Sequence, residues 1–395
     1  MLKYITIIFV ILMAILDYMA YRKLVRTKAG KRVRYLFSSF VITANAIPVL
    51  AALCMFVFTN TGNSTQMMKV SMISFTLFIL FTLLRLFFYP FWLFKSSRKS
   101  VLCGLSMCLF TLCTYLYSVF VTRTDYEVKE VEICFANLPD GFDGYRVAFI
   151  SDIHLGSMYD IDNELKDLAS VIDGVNADIL LFGGDLVNLH YSELTLEVLE
   201  LLSKIKGKEG TYSVLGNHDT GTYISGNKNE INVADVCMIQ NRVTSCGWVL
   251  LRDSTVYLHK DGDSIAITGV DYSNELLKYK HSLDNVNEFN CGHIYENVDT
   301  SLFNITVSHL PQLWYPLCDG GYSDLTLSGH IHAFQFKVSL FGYLFSPARF
   351  MYEEWSGLYE REKGKLYIND GIGTVAYYSR VGARPEVTLI TLRKK

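Results

Sequence analysis

The sequence predicts a four-helix transmembrane region followed by a layered α/β domain, and three observations carry that prediction. Charge is divided unevenly. The 395 residues hold 36 Lys and Arg against 39 Asp and Glu, a net charge of −3, yet residues 1–121 contain thirteen bases and a single acid, Asp17, which leaves −15 for the rest. Four apolar runs fall inside that basic third. The acidic remainder alternates short β-rich apolar runs with longer helical patterns, as layered α/β domains do. Hydrophobic residues make up 50% and charged residues 19% of the chain, which excludes a disordered, highly charged polypeptide. The absence of a bulk basic field argues against a nucleic-acid partner.

The apolar runs cover residues 4–21, 35–58, 70–94 and 101–122. Each approaches or exceeds the ~18–20 residues a helix needs to cross a ~30 Å hydrocarbon core. The second and fourth contain no charge, the first only Asp17 and the third only Arg85. Charges at such depth are expensive, so these two form an intramembrane or ligand-contacting pair, or else snorkel towards helix ends. Seven bases lie between runs one and two (Arg22, Lys23, Arg26, Lys28, Lys31, Arg32, Arg34) and three between runs three and four (Lys95, Arg98, Lys99). Only Lys69 lies between runs two and three. Excess Lys and Arg mark the cytoplasmic side, so both basic loops are expected inside and everything after the fourth helix outside. The expected domains are residues 1–122 as four transmembrane helices, 123–144 as linker and first strand region, and 145–395 as the catalytic domain. The polar stretch 125–131 reads as the link off the membrane.

In the remainder, one pattern recurs five times: an apolar strand ends, and Asp, His, Asn or Gly follow at once. Residues 145–150 run into Ser151-Asp152-Ile153-His154, residues 178–182 into Gly183-Gly184-Asp185, and residues 211–215 into Gly216-Asn217-His218-Asp219. Residues 304–307 run into Ser308-His309, and 325–327 into Ser328-Gly329-His330-Ile331-His332. In open α/β sheets, ligands gather at these strand ends. Asp152, His154, Asp185, Asn217, His218, His309, His330 and His332 together offer imidazole and carboxylate without thiolate, a set suited to Mn, Fe, Zn or Co. Seven of the eight hold two divalent ions if one carboxylate bridges, and Asp185, alone at its strand end, is the natural bridge. Two ions, two ionised Asp and a shared hydroxide leave a net charge of +1, which favours an anionic phosphate and in-line attack on it.

Asp-x-His, Gly-Asp, Gly-Asn-His-Asp, a lone His and Gly-His-x-His, in that order, resemble the calcineurin-like metallophosphoesterase superfamily. The resemblance covers most of the soluble part and none of the membrane third. It implies a layered α-β-β-α sandwich. The tail from Asp370-Gly371-Ile372-Gly373 to Arg384-Pro385-Glu386 further resembles a bacterial membrane-associated phosphodiesterase branch. By that resemblance Asp152, His154, Asp185 and His332 hold one metal, and Asp185, Asn217, His309 and His330 hold the other. His218 contacts the phosphate or protonates the leaving group, with Asp219 beside it to orient the ring. The chain departs from the branch at Ile331, Ala333 and Phe334, where Thr and Gly-Gly are usual, so backbone approach there is more crowded.

The expected activity is hydrolysis of phosphodiester bonds by a metal-bridging hydroxide. Two other readings stand beside it: a pyrophosphatase acting on a nucleotide-linked lipid precursor, and a non-catalytic metal- or partner-binding membrane protein. The expected substrate is a phosphodiester of lipid or envelope origin, met at the outer face of a bacterial plasma membrane, and no protein partner is implied. His190, His259, His281 and His293 read as surface or satisfied groups, and Arg384 as a phosphate clamp or a surface residue. Of the nine Cys, Cys237 with Cys246 and Cys291 with Cys318 are candidate bridges in an oxidising compartment; Cys134 has no proposed partner. The loops 221–230 and 342–357, the latter with Tyr343, Phe345, Phe350, Tyr352 and Trp355, supply pocket walls or a lipid-facing entrance.

Overall fold

The computed structural model describes residues 2–27, 29–58, 64–94, 97–223, 230–279 and 289–395. It divides into two compact units: residues 1–119 with 376–378, and residues 120–375 with 379–395.

The first unit is four helices, α1 (Leu2–Arg26), α2 (Lys31–Phe58), α3 (Ser64–Phe94) and α4 (Arg98–Phe120). At ~1.5 Å per residue, each is longer than a hydrocarbon core is thick. Among the described residues, two stretches are both long and apolar enough to cross a membrane: Gln66–Phe94, with mean hydropathy 2.1, and Arg98–Thr124, with 1.7. Asp17 and Arg85 do not snorkel. Arg85 Nη1 lies 2.8 Å from Asp17 Oδ2, Tyr89 Oη donates to Asp17 Oδ1 at 2.5 Å, and Asn45 Nδ2 donates to Asp17 Oδ2 at 3.2 Å. Both charges are buried among α1, α2 and α3, so an ion pair with its own hydrogen bonds replaces the lost water.

The second unit opens with β1 (Glu127–Phe135), which begins inside the stretch expected to be a linker. It is an edge strand: Val128, Glu130 and Glu132 face water, while Lys129 turns inward to pair with the buried Glu386 and Asp370. The chain continues through β2 (Arg146–Ile150), α5 (Ile161–Val175), β3 (Ile179–Phe182), α6 (Leu196–Leu202), β4 (Gly210–Ser213), α7 (Val233–Ser245) and β5 (Val249–Leu250). It then builds β6 (Ser254–Lys260), β7 (Asp263–Gly269), β8 (Phe303–Val307), α8 (Trp314–Asp319) and β9 (Leu325–Ser328). A hairpin of β10 (Val338–Leu340) and β11 (Tyr343–Phe345) precedes β12 (Gly357–Arg361), β13 (Gly364–Ile368) and β14 (Glu386–Lys394).

Two mixed six-stranded sheets result, ordered β1-β14-β2-β3-β4-β5 and β12-β13-β9-β8-β7-β6. Strands β2 to β5 run parallel, as do β7, β8, β9 and β13. The period of two sorts their side chains. Val147 and Phe149 of β2, with Ile179 and Leu181 of β3, join Ile267, Ile305 and Leu327 in the core between the sheets. Ala148, Ile150, Leu180 and Phe182 face the other way, onto Leu165, Leu168 and Ile172 of α5 and Val198 and Leu202 of α6. The outer face of the second sheet has a thinner cover. Trp314 and Cys318 of α8 pack with Leu366 and Ile368 of β13, Ile331 and Ala348.

The described Cys237, Cys246, Cys291, Cys318 and Cys134 are free thiols. The first candidate bridge fails on helix geometry. Cys237 lies in α7 and Cys246 caps it nine residues on, about 13 Å along the axis, beyond the ~7 Å limit between bridged Cα atoms. In the second, Cys291 and Cys318 are buried in separate clusters.

Candidate functional site

The five blocks sit where parallel strands end. Asp152 and His154 follow β2, Asp185 follows β3, Asn217 and His218 follow β4, His309 follows β8, and His330 and His332 follow β9. Five of these eight adopt left-handed backbone: Asp152 (φ 56°), His154 (46°), Asp185 (59°), His330 (71°) and His332 (54°). Non-glycine residues hold such angles only where the surroundings enforce them, at roughly 1–3 kcal/mol each. Here the sharp turn off each strand folds the side chain back over the sheet end. Glycines make room for it. A Cβ on Gly216 would stand 2.1 Å from Asp185 Oδ1, and one on Gly329 would stand 2.2 Å from Asp152 Oδ2.

The donor atoms converge. Asp152, His154 and His332 bring one ligand atom each within 4.8 Å of one another; so do Asp185, His309 and His330, and so do His154, Asp185 and His218. His332 Nε2 lies 3.2 Å from Asp152 Oδ1 and 3.2 Å from His154 Nε2. Asp185 Oδ2 is 3.6 Å from His154 Nε2 and 3.3 Å from His309 Nε2, and Asn217 Oδ1 is 3.0 Å from His309 Nε2. Ligands at ~2.0–2.2 Å from a shared ion stand roughly 3–3.6 Å apart, so these separations match edges of a coordination polyhedron. Asp185 reaches both sides of the cluster. The donor set therefore fits two cations.

The electrostatics point the same way. Burial pushes Asp152 and Asp185 up, but His332 beside the first and His309 and His218 beside the second outweigh it, holding both carboxyls well below the usual range. Burial drives His154 well down, helped by His218, and takes His330 to about 3, helped by His309. Ionised carboxylates and neutral imidazoles are the states that donate to a cation. Burial opposes the charge on His309, but Asp185 prevails and lifts it to about 9. A cation at that position would displace this proton.

His218 lies beside the expected ligands, in one donor group with His154 and Asp185, and its ring is held by groups of its own. Its Nδ1 is 2.6 Å from Asn188 O, its backbone N–H donates to Asp185 Oδ1 at 2.7 Å, and Tyr223 stacks on the ring at 4.2 Å. The carboxylate expected behind the ring is instead a backbone carbonyl. Asp219 turns away, because successive side chains in the short turn 217–220 diverge. It accepts from the N–H groups of Asp185 (2.8 Å), Leu186 (2.9 Å), Val187 (3.0 Å) and Gly216 (2.9 Å). It thus fixes the Asp185 turn. Burial and the Asp185 charge push its carboxyl up to about 7.

Two residues in the site's support escaped the sequence reading. Glu193, buried, accepts from Gly156 N, Asn188 N and Leu189 N at 2.7–2.8 Å and so ties the turn after β2 to the turn after β3. Arg380, fully buried, donates to the carbonyls of Asp370, Gly373 and Ala383 and reaches within 3.4 Å of His332 Nδ1. Neither lies in a motif, so sequence spacing carries no signal for them. Arg384 is held elsewhere, against Asp125 and Tyr126 at the start of the unit. His190 contacts Ser192 and Asp235, His259 contacts Ser264, and His293 contacts Asn290. His281 and residues 224–229 of the expected pocket wall lie outside the described residues. At Ala333 and Phe334, where the branch usually has Gly-Gly, the backbone is left-handed: His332 to Gln335 all have φ between 47° and 56°.

Residues 145–334 match the family model for calcineurin-like phosphoesterases. The chain is 26% identical over 316 residues to the uncharacterized metallophosphoesterase YkuE of Bacillus subtilis, covering 76% of this chain and 98% of that protein. It is 27% identical over 307 residues to a transmembrane protein with metallophosphoesterase domain from Danio rerio, covering 76% of this chain and 64% of that one. It is 26% identical over 291 residues to the UDP-2,3-diacylglucosamine pyrophosphatase LpxG of Chlamydia muridarum, covering 64% and 83%. With five strand-end blocks converging on one His/Asp cluster, residues 145–334 of this chain are similar in sequence and in site to the calcineurin-like phosphoesterases.

Proposed function

We propose that this chain is an integral-membrane, metal-dependent phosphodiesterase whose catalytic domain lies outside the cytoplasm. Asp152, His154, Asp185 and His332 would hold one divalent ion, and Asp185, Asn217, His309 and His330 the other, drawn from Mn, Fe, Zn or Co. The observation that carries this reading is the position of Asp185 Oδ2, 3.6 Å from His154 Nε2 on one side and 3.3 Å from His309 Nε2 on the other. When bound, two such ions acidify water and offset the charge that develops on phosphate oxygens. The chain's own residues supply the rest. Asn188 O holds His218 Nδ1 and so orients the ring, whose other nitrogen would protonate the leaving oxygen, and the stacked Tyr223 restrains it. The Asp219 carboxylate keeps the Asp185 turn in register.

The test is hydrolysis of a chromogenic aryl phosphodiester, and of the matching monoester, by the full chain in detergent. Diester cleavage that needs added metal, stops with chelator and exceeds monoester cleavage supports the proposal. No cleavage with Mn, Fe, Zn or Co overturns it and favours a non-catalytic metal-binding role. The outer location is supported by the ten bases in the two flanking loops against one in the loop between them. A reporter active only outside the cytoplasm, fused after Lys395, should be active. A cytoplasmic signal would favour the second reading, cleavage of a nucleotide-linked lipid, which the similarity to a pyrophosphatase of that class supports.

A further inference from the structure

The β10–β11 hairpin leaves the metal-site loop directly: His332 to Gln335 form the left-handed turn, and Phe336 leads into β10. Its tip is unusual in three ways. Residues 338–347 carry no charge. Phe341 is 101% exposed, Tyr343 80% and the neighbouring Phe350 73%, and Leu340 and Leu344 are exposed as well. The two-residue turn has positive φ at both positions, Phe341 (52°) and Gly342 (83°), with Leu340 paired to Tyr343. Such turns favour Asn or Asp before Gly, because a bulky side chain is strained in left-handed backbone. Phe341 is therefore unfavourable for the turn and buries nothing within the domain.

We propose that this hairpin is a membrane-interface anchor whose aromatic tip enters the boundary between headgroups and acyl chains of a lipid bilayer. Three observations select the bilayer over a second copy of the chain. The three exposed rings offer on the order of 500 Å² at roughly 200 Å² per side chain, more than scattered surface residues. That is still short of the ~800 Å² per partner that a stable interface needs. A tip with Phe and Tyr and no charge has the composition that settles at membrane interfaces. The same chain also carries helices long and apolar enough to hold it at a membrane. Phe336, Phe345 and Phe350 continue the apolar stripe inward, with ring centroids 6.5 and 6.0 Å apart. From Phe336 to Phe341 the strand spans about 17 Å at ~3.3 Å per residue, so a seated tip brings the metal-site crevice near headgroup level. The phosphoester that reaches it is then that of an amphiphile resident in the bilayer. This substrate class rests on the phosphodiesterase reading; the anchoring does not.

The test reconstitutes full-length Phe341→Trp protein into vesicles of phosphatidylethanolamine and phosphatidylglycerol, with and without acyl-brominated lipid, and subtracts the emission of the parent. The added Trp should emit to the blue and be quenched by brominated chains. Water-like emission quenched by aqueous iodide overturns the proposal, as does shielding from both quenchers, which would mean that a second copy or another protein segment covers the tip. A Phe341→Asn, Tyr343→Thr variant supplies the second measurement. It should cleave a soluble chromogenic diester as the parent does, and a diacyl phosphodiester probe in the same vesicles more slowly by on the order of tenfold. Equal loss on both substrates overturns membrane seating in favour of a structural role. If the parent cleaves neither ester, the phosphodiesterase reading fails, and the quenching result still decides the anchoring.

Discussion

Gly216→Ala tests the shared-carboxylate reading through a single methyl group. Gly216 has extended backbone (φ −107°, ψ −177°), so alanine is not strained there and the effect is steric. The new Cβ would lie 2.1 Å from Asp185 Oδ1, 2.5 Å from Asp185 N and 2.7 Å from Asp185 Cγ. Ordinary contact begins near 3.4 Å, so the carboxylate or its turn must retreat by about 1 Å. Retreat is resisted, because Asp185 N is bonded to Asp219 and Asp185 Oδ1 to His218 N. A 1 Å displacement of a positioning group typically costs about a hundredfold in rate. Overpacking itself costs roughly 1–3 kcal/mol, which leaves most of a typical stability of ~5–15 kcal/mol. The variant should therefore fold, lose bound metal from both positions together, and fall about a hundredfold in diester hydrolysis. Metal content by mass spectrometry, thermal unfolding and turnover are read on the same sample. Gly174→Ala is the control: it sits in α5 with nothing within 4 Å of its Cβ, and should stabilise by about 0.5–1 kcal/mol with activity unchanged. If Gly216→Ala keeps both metals and full turnover, Asp185 does not serve both positions and the reasoning fails.

Asp185→Asn should remove metal from both positions and abolish hydrolysis, whereas His218→Ala should keep metal and lower turnover by about two to four orders of magnitude. Equal metal loss in the two would make His218 a ligand. Glu193 is raised by burial from 4.5 to about 7. A carboxyl whose folded value exceeds its unfolded one contributes stability that is present below about 4.5 and is lost as pH rises through about 7. Denaturant unfolding of Glu193→Gln across that window should show a flatter pH slope than the parent, and an unchanged slope would refute the assignment. In the helical unit, Arg85→Met alone strands a buried carboxylate at about 3–5 kcal/mol, while Asp17→Asn with Arg85→Met removes the charge pair. Thermal midpoints in detergent should therefore fall in Arg85→Met and largely recover in the double variant; additive losses would mean that the two side chains act independently.

The recognisable parts of this protein were local. A run of twenty apolar residues is a membrane helix candidate wherever it lies, and an apolar strand ending in Asp-x-His or Gly-Asn-His-Asp announces itself within ten residues. That is why four helices, two of them with described stretches long and apolar enough to cross a membrane, and the five strand ends with their eight polar residues were legible in the sequence. Residues 127–131 of the stretch expected to lead off the membrane form the start of β1, where Glu130 faces water and Lys129 turns inward to the buried Glu386 and Asp370, a pairing with segments far along the chain. Pairing across the chain was beyond the sequence. β1 binds β14 residue for residue, Glu127 to Glu386, a register set by backbone hydrogen bonds between segments far apart in the chain. The partner of His218 was misassigned for the same reason: adjacency along the chain suggested Asp219, but in the short turn the neighbouring side chain points elsewhere and Asn188 O fills the place. For Asp17 and Arg85 the sequence offered a pair or snorkelling, and helix packing, which puts one turn of α1 beside one turn of α3, decided for the pair. Composition and spacing thus determined which polar residues stand at the strand ends. Which atom faces which was decided by tertiary packing, because donors and acceptors meet at distances near 3 Å that no interval along the chain encodes.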